Sequence, residues 1–428
     1  MKKIQSHLSV QNSLAQDALI AGVFEDIDDD FKKLMRTGKL IPKPLLVCSG
    51  GTSTGCAANG HWTLDLRSNY QQIHFDASNG KVNMGAGATM KSLLIELSQY
   101  NRTFPTGLSG LPGIGYILTG GISPLSRSQG LAIDQILAIK GVWGNGKCFN
   151  ISKPTKSSSS NEHLIWRGLC GAAPFLGIVT NITLKTYPLK PITVWEATIK
   201  KEQFSDVIIQ AENATNEFSL QWIWGDQIQL YGIISNDLED TNDALIKLKK
   251  DFGKDSFFKA SKVLGLQNIP PFLLKVSNKT KKTKIHCEVI GLLGPAWRND
   301  CDVLIKALDY LISIRPNKNC FIAAQQLGGV SSQISKSLTS FIHRQAIWKP
   351  WITASWEAGN SKDKERSLNW LNEAWKVLET NCPGVHLAQL HQHLPWHEKE
   401  TKKAFDDWLP GLQNLKSQYD PQGILPRL

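Results

Sequence analysis

From Gly107 to Gly130 the chain reads GLSGLPGIGYILTGGISPLSRSQG, seven glycines and two prolines in twenty-four residues. A helix or strand does not tolerate that composition, because glycine loses the most conformational freedom on ordering and proline removes a backbone donor. The stretch therefore reads as a long loop. With so few side chains in the way, such a loop can lie closely against a flat ligand.

Two shorter glycine segments precede it. Leu45, Leu46 and Val47 form a compact apolar strand that runs straight into SGGTSTG at 49–55. Over Ser49 to Ser53 the backbone N–H groups and three hydroxyls can close on a phosphate. A second strand, Lys81 to Met84, meets GAGATM at 85–90. That segment only begins like a dinucleotide fingerprint: Met90 holds the position that needs a third small residue, and no acidic partner follows at the required distance. It reads as a structural turn before a helix carrying Met90, Leu93, Leu94 and Leu97 on one face.

The rest of the first half continues this rhythm. Ile136 to Trp143 and Cys148 to Ile151 form a hairpin around GNGK at 144–147, and Ile178, Ile182 and Leu184 alternate as a half-buried strand. Lys153 to His163, KPTKSSSSNEH, reads as a mobile polar loop. The stretch YPLKPI at 187–192 marks a boundary, because glycine loops become scarce beyond it.

In the second half Phe218 to Trp224 and Ile228 to Ile234 alternate around a Gly225-Asp226 turn, with further strands at Ile285 to Leu293 and Trp351 to Glu357. Helical stripes run through Val303, Leu304, Ala307, Leu308 and Leu311, and through Leu368, Leu371, Trp375 and Leu378. This predicts an α+β chain whose second half is an antiparallel sheet covered by helices. A length of 428 residues agrees with two domains.

No apolar run reaches the ~18 residues that would span a bilayer, and the N-terminus lacks a signal-peptide core, so a cytoplasmic location is expected. The eight cysteines form no CxxC pair and read as reduced, mostly buried thiols. The net charge of +11 is densest at KTKKTK, 279–284, where no aromatic or RNA-binding pattern accompanies it. A solvated loop is expected there, not a nucleic-acid surface.

Taken in order, these segments resemble a known family: FAD-linked oxidoreductases of the vanillyl-alcohol oxidase type, with a PCMH-type FAD-binding domain, in the berberine-bridge-enzyme-like branch. VCSGGTS at 47–53 resembles the pyrophosphate loop, and VNMGAGATMKSLLIEL at 82–97 the strand and helix after it. GIGYILTGGISPLSRSQGLAIDQI at 113–136 resembles the flavin-covering loop. LIWRGLCGAAPFLGIVTNITLKTYP at 164–188 resembles the segment that closes the cofactor domain. GGVSSQISKSLTSFIHRQAIW at 328–348 is similar to a substrate-domain stretch, and WLPGLQNLKSQYDPQGIL at 408–425 to the C-terminal tail.

The resemblance implies a two-part FAD-binding domain over 1–190, a substrate domain over 191–400, and a segment over 401–428 that returns to the first. It implies FAD contacts from Ser49, Gly50, Gly51, Thr52 and Ser53, from Gly107, Gly113, Gly115, Gly120, Gly121, Ile122 and Ser126, and from Gly177, Ile178 and Val179. In two places the chain departs from the pattern. Thr52 stands where many members carry a flavin-linking histidine, and Leu108 and Ser109 stand where some carry a linking cysteine. Flavin held without a covalent bond follows. The usual first strand and helix are reduced to something like Leu19 to Leu40.

Near the C-terminus QLHQHLPWHEKE at 389–400 replaces the motif that faces the flavin. His386, His391, His393 and His397 fall within twelve residues. His391 and His393 are expected on one strand face, lining a substrate pocket in preference to a metal site. A base is needed to take the proton of an alcohol or amine, and Glu357, His391 and His393 are the candidates. His343-Arg344 either pairs a buried carboxylate or binds an anionic substrate. The expected activity is oxidation of a hydroxyl or amine carbon of a small organic molecule by hydride transfer to FAD. The alternative is a scaffold that has lost catalysis and binds a ligand or partner.

Overall fold

The computed structural model describes residues 22–24, 43–235, 246, 250, 257–268 and 285–428. The lysine run at 279–284 and all of Leu19 to Leu40 except 22–24 lie outside the described residues.

Three parallel strands open the fold: β1 (Gly22–Phe24), β2 (Leu46–Cys48) and β3 (Trp62–Asp65), with β3 in the middle. A second sheet begins with β4 (Ile73–Asp76) and β5 (Lys81–Gly85). Thr89 then caps helix α1 (Met90–Ser98) by accepting from the Ser92 N–H, and Met90, Leu93, Leu94 and Leu97 are its buried face. After β6 (Arg102–Thr103) the glycine loop holds only the short helices α2 (Ile114–Leu118) and α3 (Ser126–Gln129). The hairpin β7 (Ile136–Trp143) and β8 (Cys148–Ser152) follows.

Helix α4 (Ser160–Leu176) starts earlier than its polar sequence suggests. Ser159 and Glu162 form a reciprocal capping box, so the last residues of the supposed Lys153–His163 loop are helical. The helix kinks at Cys170–Ala172, where Gly171 has φ +122°. Strand β9 (Gly177–Lys185) then completes an antiparallel sheet of order β4-β5-β9-β7-β8. The two-residue β10 (Tyr187–Pro188) pairs with β6.

From Pro191 the chain builds an eight-stranded antiparallel sheet. Its elements are β11 (Pro191–Ile199), helix α5 (Phe204–Asn213), β12 (Phe218–Trp224), β13 (Ile228–Ile234), β14 (Phe258–Leu264) and β15 (Ile285–Leu293). Helix α6 (Cys301–Ser313), β16 (Phe321–Gln326), β17 (Trp348–Glu357), helix α7 (Ser361–Leu378) and β18 (Gly384–Val385) complete it, in the order β14-β11-β13-β12-β16-β17-β15-β18. Helices α8 (His397–Phe405) and α9 (Leu409–Tyr419) end the fold. The tail returns to the first half: Leu45 donates to the Ile424 carbonyl at 2.7 Å, and the Tyr419 ring stacks on Trp143.

The strand registers give this sheet two unlike faces. One carries Trp195, Leu220, Trp222, Ile322 and Ile352 and lies under α5, α6 and α7, with Phe204 edge-on to Trp222. Leu304, Leu308 and Leu311 face this core, whereas Val303 is exposed, so the predicted stripe on α6 is one position too wide. On the other face a single row of paired positions reads Glu196, Tyr231, Gln221, Gln325 and Lys349 across five strands. All but Glu196 are buried, and the row turns toward the glycine loop, where the Gln325 amide donates to the Ile122 carbonyl at 3.4 Å.

Arg127, in α3, fixes that approach. It is 5 % exposed, and it donates to the carbonyls of Phe218 (2.7 Å), Leu327 (2.7 Å), Ala214 (2.9 Å) and Thr215 (3.2 Å). These lie at the start of β12, just past β16 and just past α5. Burial lowers its pKa to about 10, which still leaves it charged at neutral pH. Arg127→Met would leave these buried acceptors without donors, and stability should fall by about 3–5 kcal/mol in chemical denaturation. Arg127→Lys should recover only part, because an ammonium cannot reproduce the planar fork.

Candidate active site

Two glycine loops meet at the end of β2. Gly50 sits against the backbone of Leu111, Pro112 and Gly113, and Gly113 sits against Ser49, so a side chain at either glycine would overlap the other loop. Ser49 Oγ donates to the Ala86 carbonyl at 2.6 Å, and Ser53 Oγ accepts from the Gly55 N–H at 3.1 Å. Farther along, Gly120 and Gly121 take φ of +123° and +69°, and their carbonyls accept from Ile133 and Ala132. That conformation presents bare backbone on one side. The Tyr116 ring lies between Gly107 and Gly121, its hydroxyl buried without a hydrogen-bond partner, while Gly115 faces open space. A cradle that excludes side chains yet holds orphaned polar atoms fits the FAD the loops were expected to bind. Thr52 is half-buried within it and offers a hydroxyl where an imidazole would be needed for a tether.

The remaining predicted contacts have packing partners of their own. Ser126 is buried, and its hydroxyl accepts from the Ser123 N–H at 2.9 Å, which folds the loop back on itself. Gly177, Ile178 and Val179 pair with Trp143, Val142 and Gly141 inside the five-stranded sheet.

Opposite Gly120 lies His386, which follows β18. A Cβ on Gly120 would be 3.7 Å from His386 Nε2. The imidazole is buried, and neither ring nitrogen makes a hydrogen bond of ordinary geometry, although the Gln389 amide lies beside it. Burial, and then the nearby Lys349 charge, push its pKa well below the usual 6.5, so it is neutral. Lys349 is buried on the same side, and burial lowers its pKa to about 7.

The three residues expected to act as bases are not brought together. Glu357 is exposed at the far end of β17, eight residues or roughly 26 Å along the strand from Lys349. His391 and His393 are not on a strand: they lie in a turn after the 3-10 segment Leu387–Gln389. The turn aims both at one carboxylate. His393 Nε2 is 2.8 Å from Glu288, and His391 Nε2 is 3.3 Å from it. His391 Nδ1 is 3.1 Å from Glu400, which also accepts from the Trp396 indole. Both ring nitrogens of His391 are therefore engaged by buried carboxylates. Through Thr54, which hydrogen-bonds Glu288, the network reaches the end of the first glycine loop. Arg344 forms a buried ion pair with Asp134 at 2.9 Å, which answers the choice left open for it in favour of structure.

Residues 26–152 match the family model described as an FAD binding domain. An FAD-linked oxidoreductase of Bacillus subtilis is 22% identical over 370 residues, which cover 79% of this chain and 74% of that one. The chain thus carries an FAD binding domain and is similar to FAD-linked oxidoreductases over most of its length. Berberine bridge enzyme-like 24 of Arabidopsis thaliana is 27% identical over 356 residues, covering 74% of this chain and 61% of its own. Among solved structures, the glucooligosaccharide oxidase of Acremonium strictum superposes with a TM-score of 0.73 at 19% identity, covering 90% of this chain and 85% of that one. Its FAD is described as 6-S-cysteinyl and 8α-N1-histidyl, that is, doubly attached. In this chain an FAD-binding part is joined to a helix-backed antiparallel sheet. Among its described residues no helix is long and apolar enough to cross a membrane.

Signals for the residues that sequence reading missed were present but faint. Lys349 interrupts the apolar run AIWKPWI, and Gln325 interrupts FIAAQQL, both at inward positions of their strands. His386 belongs to the same histidine-rich stretch as His391 and His393, yet of the three only its ring is placed against Gly120 of the flavin-covering loop.

The Glu288 network makes stability depend on pH in a definite direction. Burial opposes a charge on His391, but the Glu400 hydrogen bond and the Glu400 and Glu288 charges outweigh it and hold its pKa above 6.5. That contribution is complete below 6.5 and is lost as pH rises through the raised folded value. Burial likewise opposes the Glu288 charge, yet the histidines and Thr54 hold its pKa below 4.5, so its contribution is lost as pH falls through that lowered value. His391→Gln should therefore lower the melting temperature more near pH 5.5 than near about pH 8.5, which parallel thermal melts of the two proteins would show.

Proposed function

We propose that this protein oxidises a hydroxyl- or amine-bearing carbon of a small organic substrate by hydride transfer to FAD held without a covalent bond. The observation that carries the reading is the neutral, buried imidazole of His386 facing the bare backbone at Gly120. When bound, FAD supplies the hydride acceptor.

The chain's own groups supply the rest. Ser49 to Ser53 and the backbone N–H groups of the two abutting loops hold the pyrophosphate. Gly120, Gly121 and Ile122 bring uncluttered backbone to the ring. The row of Gln221, Gln325 and Lys349 forms a polar floor for the substrate, and Phe341, which sits against Gly120, helps to exclude water. His386 takes the substrate O–H or N–H proton as the hydride leaves the adjacent carbon, so a carbonyl or imine is released. A neutral base poised beside the reacting carbon is what such a step requires. The network at His391 and His393 is proposed to position the site through Thr54, and Glu357 is assigned no part.

Thr52, Leu108 and Ser109, which stand where the family resemblance places a linking histidine and a linking cysteine, support the non-covalent reading. Purified protein should be yellow, and acid precipitation should release all of the colour into the supernatant. A pellet that stays yellow would overturn non-covalent binding, and a colourless protein that takes up no added FAD would overturn the enzyme reading. Gly50→Ala should lower the ratio of bound flavin to protein at least about tenfold in the same assay, because the added methyl group collides with backbone that cannot yield.

A further inference from the structure

We propose that Lys349 is the receptor for an anionic group on the substrate, so that the molecule oxidised is a carboxylate, a hydroxy acid or an amino acid, and not a neutral sugar or alcohol. This deepens the function proposed above and rests on it.

Lys349 sits on β17 next to Gln325 in the neighbouring strand, on the face that turns toward Ile122. Its side chain is only 8 % exposed. Among the described residues it makes no ion pair, and its ammonium lies 4.6 Å from the centre of the Trp351 ring. Burying an ammonium without a counter-charge costs several kcal/mol, a penalty that a bound anion removes.

Every other cation buried near this face already has partners. Arg344 is paired with Asp134, and Arg127 is saturated by carbonyls. Glu196, the acidic member of the row, lies four strands away, about 19 Å. What surrounds Lys349 is a set of neutral donors. Gln325 is adjacent, Gln221 is one strand farther with its amide nitrogen buried and unpaired, and the neutral His386 is close. At Gly291 a Cβ would overlap the Gln389 side chain and come within 3.2 Å of Lys349 Cε, so the missing side chain lets a further neutral amide, that of Gln389, pack beside Lys349.

The number of charges selects among anions. One ammonium and two amides suit a carboxylate, which carries a single charge, whereas a phosphate monoester carries nearly two and calls for more than one cation. A carboxylate held at Lys349 would anchor one end of the substrate on the sheet and leave its adjacent C–H and O–H or N–H bonds to the flavin-covering loop and His386.

The test titrates the FAD-loaded enzyme with acetate and benzoate and with their neutral counterparts acetamide and benzamide. Flavin absorbance and calorimetric heat are recorded in parallel. The carboxylates should bind at least about tenfold more tightly than the amides, a difference of ~1.4 kcal/mol. Lys349→Met should bring that preference to within about twofold, and Lys349→Arg should keep most of it. Equal binding of acid and amide, no measurable binding of either, or a preference that survives in Lys349→Met would each overturn the proposal. If the protein proves to hold no flavin, the function proposed above fails, and calorimetry on the same protein still decides the role of Lys349. A lysine that merely packs on Trp351 would alter the melting temperature of Lys349→Met and leave the acid-to-amide ratio unchanged.

Discussion

A guanidinium with little access to water is a costly thing to build, and the placing of Arg127 explains why it is kept. It belongs to the flavin-covering loop, yet the carbonyls it saturates belong to the first strand after α5, the end of β16 and the C-terminus of α5. A glycine-rich loop has almost no side chains with which to bury apolar area, so it cannot hold a sheet against itself by hydrophobic contact. Charge-assisted hydrogen bonds from one planar group accomplish what area cannot. Because the fork is rigid, the loop and the sheet are fixed in distance and also in angle. The Asp134–Arg344 pair adds a second clamp between the same two parts, joining the segment after the loop to the one before β17.

Once that angle is set, the contrast between the two faces of the large sheet acquires a purpose. The tryptophan-rich face is closed off by three helices and acts as a foundation. The opposite face needs no helix, because the loop covers it, and it is therefore free to carry side chains that a helix-backed core would reject. Glutamines and a lysine at consecutive strand positions survive burial only when something polar faces them. Part of that partner is the Ile122 carbonyl. The rest of the row is matched to a molecule that comes and goes.

The features legible from sequence were those written locally. The α1 stripe, the β7–β8 hairpin and the alternating strands follow from periodicity, and the glycine loops follow from composition. The capping box that starts α4 was equally local, but the serine run of Lys153 to His163 masked it. What could not be read was partnership across the chain. His391 and His393 look like a strand pair in QLHQHLP, yet Glu288, more than a hundred residues away, determines where they point. Likewise nothing near Lys349 announces that it lacks a carboxylate, because a missing partner is a property of the whole fold.

That long-range pairing bears on the cofactor. Glu288 sits on β15, near the edge of the large sheet, and its partners are two histidines from the C-terminal turn and Thr54 from the end of the pyrophosphate loop. With Thr52 where the family resemblance places a linking histidine, the proposed non-covalent flavin leaves loop and sheet to be held in register by other contacts. A buried, charge-assisted network serves well, since in a low-dielectric site its hydrogen bonds strengthen one another and resist displacement. On the proposed function, the contacts of Glu288 with His391, His393 and Thr54 are the ones suited to that positioning. On this view the histidines of the C-terminal turn matter to the reaction by keeping the cradle aligned, while proton transfer falls to His386.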